Sequence, residues 1–210
     1  MILVVIQTLS QGRFSTYLTA AGYNQERAVR LYLWNAHVGE AFHTPIQTAE
    51  VSLRNSVNNA LAAAFGPDWW SAPTFLRELD RERKADLDLA IRRINNRGIA
   101  LITDQVVAGL SLGFWVGMLQ PRYNPPIWSS KLRSSFPNLP PTETRDSLFQ
   151  AAKNTAILRN RISHHEPIFK RDLLKDYAQM MKLISWICPT THDWIRPHCR
   201  VPELMRQKPR

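Results

Sequence analysis

The chain has 210 residues, 44% of them hydrophobic and 10% aromatic, enough apolar material for one sizeable core and against intrinsic disorder. Lys and Arg number 27 against 17 Asp and Glu, a formal charge of +10 spread along the chain, so the summed field attracts polyanions, of which nucleic acid is the commonest. Two cysteines, Cys188 and Cys199, are too few for a disulfide framework and fit a reducing cytoplasm; no export signal is evident, and no apolar run is long enough to suggest a membrane span.

The opening MILVVIQ is a short apolar run that reads as a strand or an extended arm over residues 1–23. Asn24 can then cap a helix to about His43, with Ala28, Leu31, Tyr32, Val38 and Phe42 at helical spacing. Thr44-Pro45 predicts a break and a second helix, with a Thr44/Gln47 capping box, a stripe of Ile46, Ala49, Leu53, Val57, Ala60 and Ala64, and a stop at Gly66. Glu50 and Arg54 lie one turn apart beside this stripe, the spacing of a surface ion pair.

After the Trp69-Trp70-Pro73 connection, Leu76 to Asn95 predicts one charged helix whose alternating signs suggest a solvated face. Thr103 or Asp104 caps an apolar helix, DQVVAGLSLGFWVGMLQ, central to the core. Pro121, Pro125, Pro126, Pro137, Pro140 and Pro141 then forbid a continuous helix and predict a long Pro-rich loop anchored by Trp128 and Phe136. Thr142 starts the next helix, and a last one runs from Asp172 to Ile187 before Pro189. Strand-period alternation is absent, so the expected fold is all-α: a bundle of five to six helices over residues 24–188 with a basic C-terminal extension, 189–210.

Residues 158–169 read LRNRISHHEPIF, and charged groups crowded this closely call for a chemical explanation. On a helix Asn160 neighbours His164 and Arg161 neighbours His165, but Arg159 and His164 are about 140° apart. They reach one phosphate only if the helix ends near Ser163, which Pro167 favours, or if they meet across a symmetric interface. The chemistry they suit is metal-independent RNA cleavage: a neutral imidazole takes the ribose 2′-hydroxyl proton while a guanidinium holds the phosphate.

RNRISH has the Arg, polar residue, three further residues, then His of the HEPN superfamily of helical ribonucleases. The wider LRNRISHHEPIF resembles the signature helix of its Abi-like, abortive-infection group. EVSLRNSVNNAL, GPDWW and LSLGFWVGML resemble other segments of that group, so the likeness spans most of residues 24–188. The resemblance implies a HEPN-like helical bundle that dimerises around a composite basic cleft, with RNA endonuclease activity used as a toxin or in antiviral defence. It makes Arg159 and His164 the catalytic pair and Asn160 their polar companion. Arg161, His165, Arg54 and Asn55 are the candidate RNA-binding residues beside them, and Glu50 receives no role. No cofactor or metal is implied; the expected partners are RNA, a second copy of the chain and an antitoxin, protein or small RNA.

Three rivals carry less. A nuclease-dead HEPN-like module would use the same residues to bind RNA or a partner. Cys188, His192, His198 and Cys199 have zinc-ligating chemistry, but adjacent His198 and Cys199 are awkward as joint tetrahedral ligands. A DNA-binding module would need a base-reading helix-turn-helix, and none stands out.

Overall fold

The computed structural model describes residues 2–124, 127–129 and 131–209, Leu3 by its backbone alone. Eleven α-helices and no strand occur among them. Helices α1 (Ile2–Thr8) and α2 (Gln11–Ala20) replace the expected strand or extended arm. A β-branched run is a weak propensity signal with no neighbouring strand to pair, whereas Ser10 caps α2 by accepting from Arg13 N, and Ile6, Phe14 and Tyr17 bury against the core.

Helix α3 (Gln25–Phe65) has 41 residues, starts at the Asn24 cap and stops at Gly66, whose φ of 93° suits glycine. The expected break at Thr44-Pro45 does not occur: Pro45 lies inside the helix, buried. Proline there removes one helical hydrogen bond and costs about 3 kcal/mol. The apolar stripe keeps helical phase across it, from Phe42 to Ile46 to Ala49, so both halves bury on one core and outweigh that cost. Thr44 accepts instead from Thr48 Oγ1 at 3.0 Å. About 60 Å long by its rise per residue, α3 is the axis of the molecule.

A 3-10 turn at Trp69–Ser71 leads to α4 (Pro73–Glu78) and α5 (Arg81–Asn96), two helices where one was expected. Asp80 separates them by capping α5: its Oδ1 accepts from Arg83 N at 2.8 Å and its Oδ2 from the Tyr123 hydroxyl at 3.0 Å. Nor is α5 wholly a solvated face, because Arg83 is 4% exposed. Burial pushes the Asp80 pKa up, but the Arg83 N–H, the Tyr123 hydroxyl and the guanidiniums of Arg122 and Arg83 pull harder, and the net shift is downward. A depressed carboxylate adds stability that is complete above its ordinary value and is lost as pH falls through the folded value. Asp80→Ala is therefore expected to lower unfolding free energy by about 1–2 kcal/mol at neutral pH. In urea melts the gap to wild type should close as pH is taken below the ordinary 3.8; a constant gap would contradict this account.

The expected central apolar helix is also two, α6 (Thr103–Gly109) and α7 (Leu112–Gly117), because Ser111 caps the second by accepting from Phe114 N. Around α7, Trp69, Phe75, Phe114 and Trp115 pack ring against ring, with centroids 5.1–6.2 Å apart. From Pro121 to Glu143 the described chain forms only 3-10 turns, at Pro121–Tyr123 and Leu132–Ser135; Pro125 and Pro126 lie outside the described residues. Trp128 and Phe136, the expected anchors, are buried and stacked at 5.9 Å.

Helix α8 (Arg145–Ser163) starts at Thr144, two residues beyond the expected Thr142, because Thr144 and Ser147 form the capping box. Helix α9 (Leu173–Ile187) runs almost as expected, one residue shorter at its start because Asp172 is its cap, accepting from Lys175 N. The basic C-terminal segment folds as α10 (Pro189–Ile195), a 3-10 turn and α11 (Val201–Arg206), with Ile195, Val201 and Leu204 buried; Arg210 lies outside the described residues. Trp34 Nε1 of α3 donates to Leu204 O at 2.8 Å. No helix among the described residues is long and apolar enough to cross a membrane.

Candidate functional site

The α8 terminus is built from the motif itself. His164 is the C-cap, and His165 follows with a φ of 55°. Its N–H donates to Ile162 O at 3.0 Å, and the Glu166 N–H donates to Arg161 O at 2.8 Å. These two bonds are a Schellman closure, which favours glycine where His165 stands. Arg161 staples the turn, donating from Nη2 to Pro167 O at 3.0 Å and pairing with Glu166 at 3.5 Å. Beyond it, Asn35 of α3 accepts from Ile168 N at 2.8 Å and Phe169 N at 3.1 Å, so α3 fixes where the chain goes next. A left-handed non-glycine residue costs about 1 kcal/mol or more. His165→Gly should accordingly raise stability by about 1 kcal/mol, checked by thermal melting; a lower melting point would show that the imidazole contributes more than the backbone saves.

Arg159, little more than one turn before the terminus, faces α3. Its Nε lies 3.4 Å from Glu50 Oε2, and its Nη1 donates to Asn160 Oδ1 at 3.4 Å. It lines an open groove of about 360 Å³ with His43, Gln47, Glu50 and Arg54 of α3, over a floor that includes Ile46 and Ile162. Glu50 thus pairs with Arg159 across the groove rather than with Arg54 along the helix; Arg54 Nε contacts Asn55 Oδ1 at 3.4 Å. Both members of the Arg159–Glu50 pair are part-exposed, 40% and 26%, so the pair is worth no more than about 1 kcal/mol. It holds the guanidinium over the groove, yet an entering phosphate can take its place.

The structure therefore brings Arg159, Arg54 and Glu50 together, with Asn160 against Arg159 and Asn55 against Arg54, neither of them a wall of the groove. Arg161 is committed to the turn. His164 is exposed and its ring makes no hydrogen bond among the described residues, but it is not a wall of the Arg159 groove. The imidazole that does line it is His43, which the sequence reading missed. His43, Gln47, Glu50 and Arg54 follow at steps of four, three and four on one face, a signal visible only if α3 continues through Pro45.

Cys188 and Cys199 are free thiols, and Cys199 Sγ contacts Ile195 O at 3.4 Å. His192 faces Asp193, and His198 packs on Trp194. No group of three or more His, Cys, Asp and Glu side chains suited to a metal occurs among the described residues. Comparison of the chain with protein-family models, with curated proteins and with solved structures finds no match.

Proposed function

We propose that this chain is a metal-independent endoribonuclease of the HEPN, Abi-like kind, a cytoplasmic toxin or antiviral effector that works as a homodimer on single-stranded RNA. The observation that carries this reading is the Arg159 groove: an open trough whose guanidiniums are held by nothing stronger than a part-exposed ion pair, on the same helix that presents a free His164 imidazole at its end. The net charge of +10 and the likeness of LRNRISHHEPIF to the family's signature helix support it.

In this mechanism Arg159 displaces its bond to Glu50 onto a non-bridging phosphate oxygen, and Arg54 adds a second positive charge along the backbone path. Neutral His164 removes the 2′-hydroxyl proton. The ribose oxygen forms a bond to phosphorus while the bond to the 5′-oxygen breaks and that oxygen takes a proton from water, leaving a 2′,3′-cyclic phosphate and a 5′-hydroxyl; His164 returns its proton to solvent. In this reading Asn160, one turn before His164, turns from Arg159 to orient the ring, and Asn55 and His165 border the path while Arg161 holds the turn beside them. Because Arg159 and His164 leave α8 in different directions, a shared phosphate is reached by His164 of a second copy, which is the reason for the dimer. A free nuclease of this kind harms its own cell, so an antitoxin partner, protein or small RNA, is expected.

A second reading, an inactive module that binds RNA or a partner through the same groove, is favoured by one observation, the placement of His164 outside the groove of its own chain. Incubating the purified protein with mixed RNA in EDTA separates the two: cyclic phosphate ends are expected from the nuclease, intact RNA from the binding module.

A further inference from the structure

A second groove of about 470 Å³ adjoins the first, and His43 and Ile162 are walls of both. Helix α2 supplies its far side with Arg13 and Tyr17, while Tyr32 and Glu40 come from α3. We propose that this groove is a nucleobase pocket that receives a base flanking the phosphate held by Arg159, and so sets which RNA sites are cut. The proposal rests on the nuclease reading for the identity of its ligand.

Three observations argue for a base here. Tyr17 is 2% exposed, lines the groove, and its hydroxyl makes no hydrogen bond among the described residues. The ring is shut away while the unpartnered hydroxyl keeps its access to the groove, where a ligand can meet it. Like any tyrosine hydroxyl it is a donor at neutral pH, and burial pushes its pKa further up, to about 12. Secondly, Gly39 forms part of the groove in the middle of α3, where glycine costs about 1 kcal/mol relative to alanine. Packing does not demand it, since a Cβ there would meet only Ile162 Cγ2, at an ordinary 3.8 Å. What the glycine provides is width. Thirdly, the groove mixes rings and aliphatic groups, Tyr17 and Tyr32 in edge contact at 5.1 Å with Ile162, with polar atoms of both kinds.

The carboxylates decide between base and phosphate. Glu40 and Glu166 line the groove and oppose an anion, but a carboxylate accepts from the exocyclic amine or ring N–H of a base. Asn35 spends its Oδ1 on the 168–169 backbone and keeps its amide N–H₂ for a base carbonyl. Arg13, exposed at the mouth, meets the sugar-phosphate chain on its way in.

The test uses the full chain, random-sequence RNA, and single-stranded RNA carrying 4-thiouridine or 6-thioguanosine for photocrosslinking. Wild type is expected to show a base preference at one position beside the cut and to form its crosslinks on α2 and the Tyr32–His43 stretch. Gly39→Leu, which fills the groove with a good helix former, should abolish both. Tyr17→Phe, which removes one oxygen and spares the fold should Gly39→Leu disturb it, should reduce the preference about fivefold, the worth of one hydrogen bond. Crosslinks confined to other helices, no crosslink at all, or a preference unchanged in both variants would overturn the pocket while leaving any observed cleavage to stand. Crosslinks in the groove without cleavage by wild type would uphold the pocket and remove the nuclease.

Discussion

His164→Ala is expected to lower RNA cleavage by about 10²–10⁴, the usual contribution of a positioned general base, while RNA binding stays near the wild-type level. Arg159→Ala should cost a similar factor of about 10²–10³ through lost stabilisation of phosphate charge. It should also weaken binding, because it exposes the Glu50 carboxylate to the incoming phosphate. The two variants thus differ in kind, and titration with a fluorescent single-stranded RNA alongside a cleavage assay separates them. Mixing the two variants supplies a further check, since a composite site restores part of the activity in heterodimers that carry one intact half-site of each type. Full cleavage by His164→Ala would move the base elsewhere, and His43, the imidazole already in the Arg159 groove, would be the residue to test next.

The largest stability effect is expected far from the groove, at Gly117. A Cβ there would lie 2.6 Å from Arg83 Cδ and 2.7 Å from Nη1. Arg83 cannot simply swing aside: it is buried, donates to Gly113 O, and pairs with Glu82 and with Asp86 at 3.3 Å. Gly117→Ala therefore either overpacks this part of the core or expels a guanidinium from its partners. We expect a loss of about 2–4 kcal/mol, or a melting point lower by roughly 10 °C for a chain of this size. Adding Arg83→Met should recover much of the loss, because an uncharged, flexible side chain needs neither the Gly113 carbonyl nor the acidic partners. Equal loss in the single and double variants would mean that the alanine methyl clashes with something other than Arg83.

Much of this architecture can be read locally. Asn24, Asp172 and Gly66 end helices where their residue types say they should, because a cap satisfies backbone groups within a few residues. Pro167 likewise limits α8, and the apolar stripe from Ala28 to Ala60 names the buried face of α3. Where the reading failed, a local signal met a non-local one. Thr44-Pro45 is a sound local break, overruled by a core that both halves of α3 share; Asp80 is a polar residue inside a periodic pattern that Tyr123, 43 residues away, also holds as a cap. Ser111, by contrast, caps α7 through Phe114 N alone, a local signal hidden by the apolar run around it.

The same division runs through the site. The amino-acid order alone determined an all-helical chain, its basic character, and a helix terminus crowded with Arg159, Asn160 and His164, since composition, periodicity and capping act over one or two turns. Which of those groups share a space was settled only by how α3 crosses α8 and where α2 folds back. That crossing gives Arg159 to Glu50, brings His43 into its groove, leaves His164 outside it, and opens a second groove behind Gly39. Side chains far apart in sequence meet because apolar faces must bury against one another, and no pattern within a single helix carries that information.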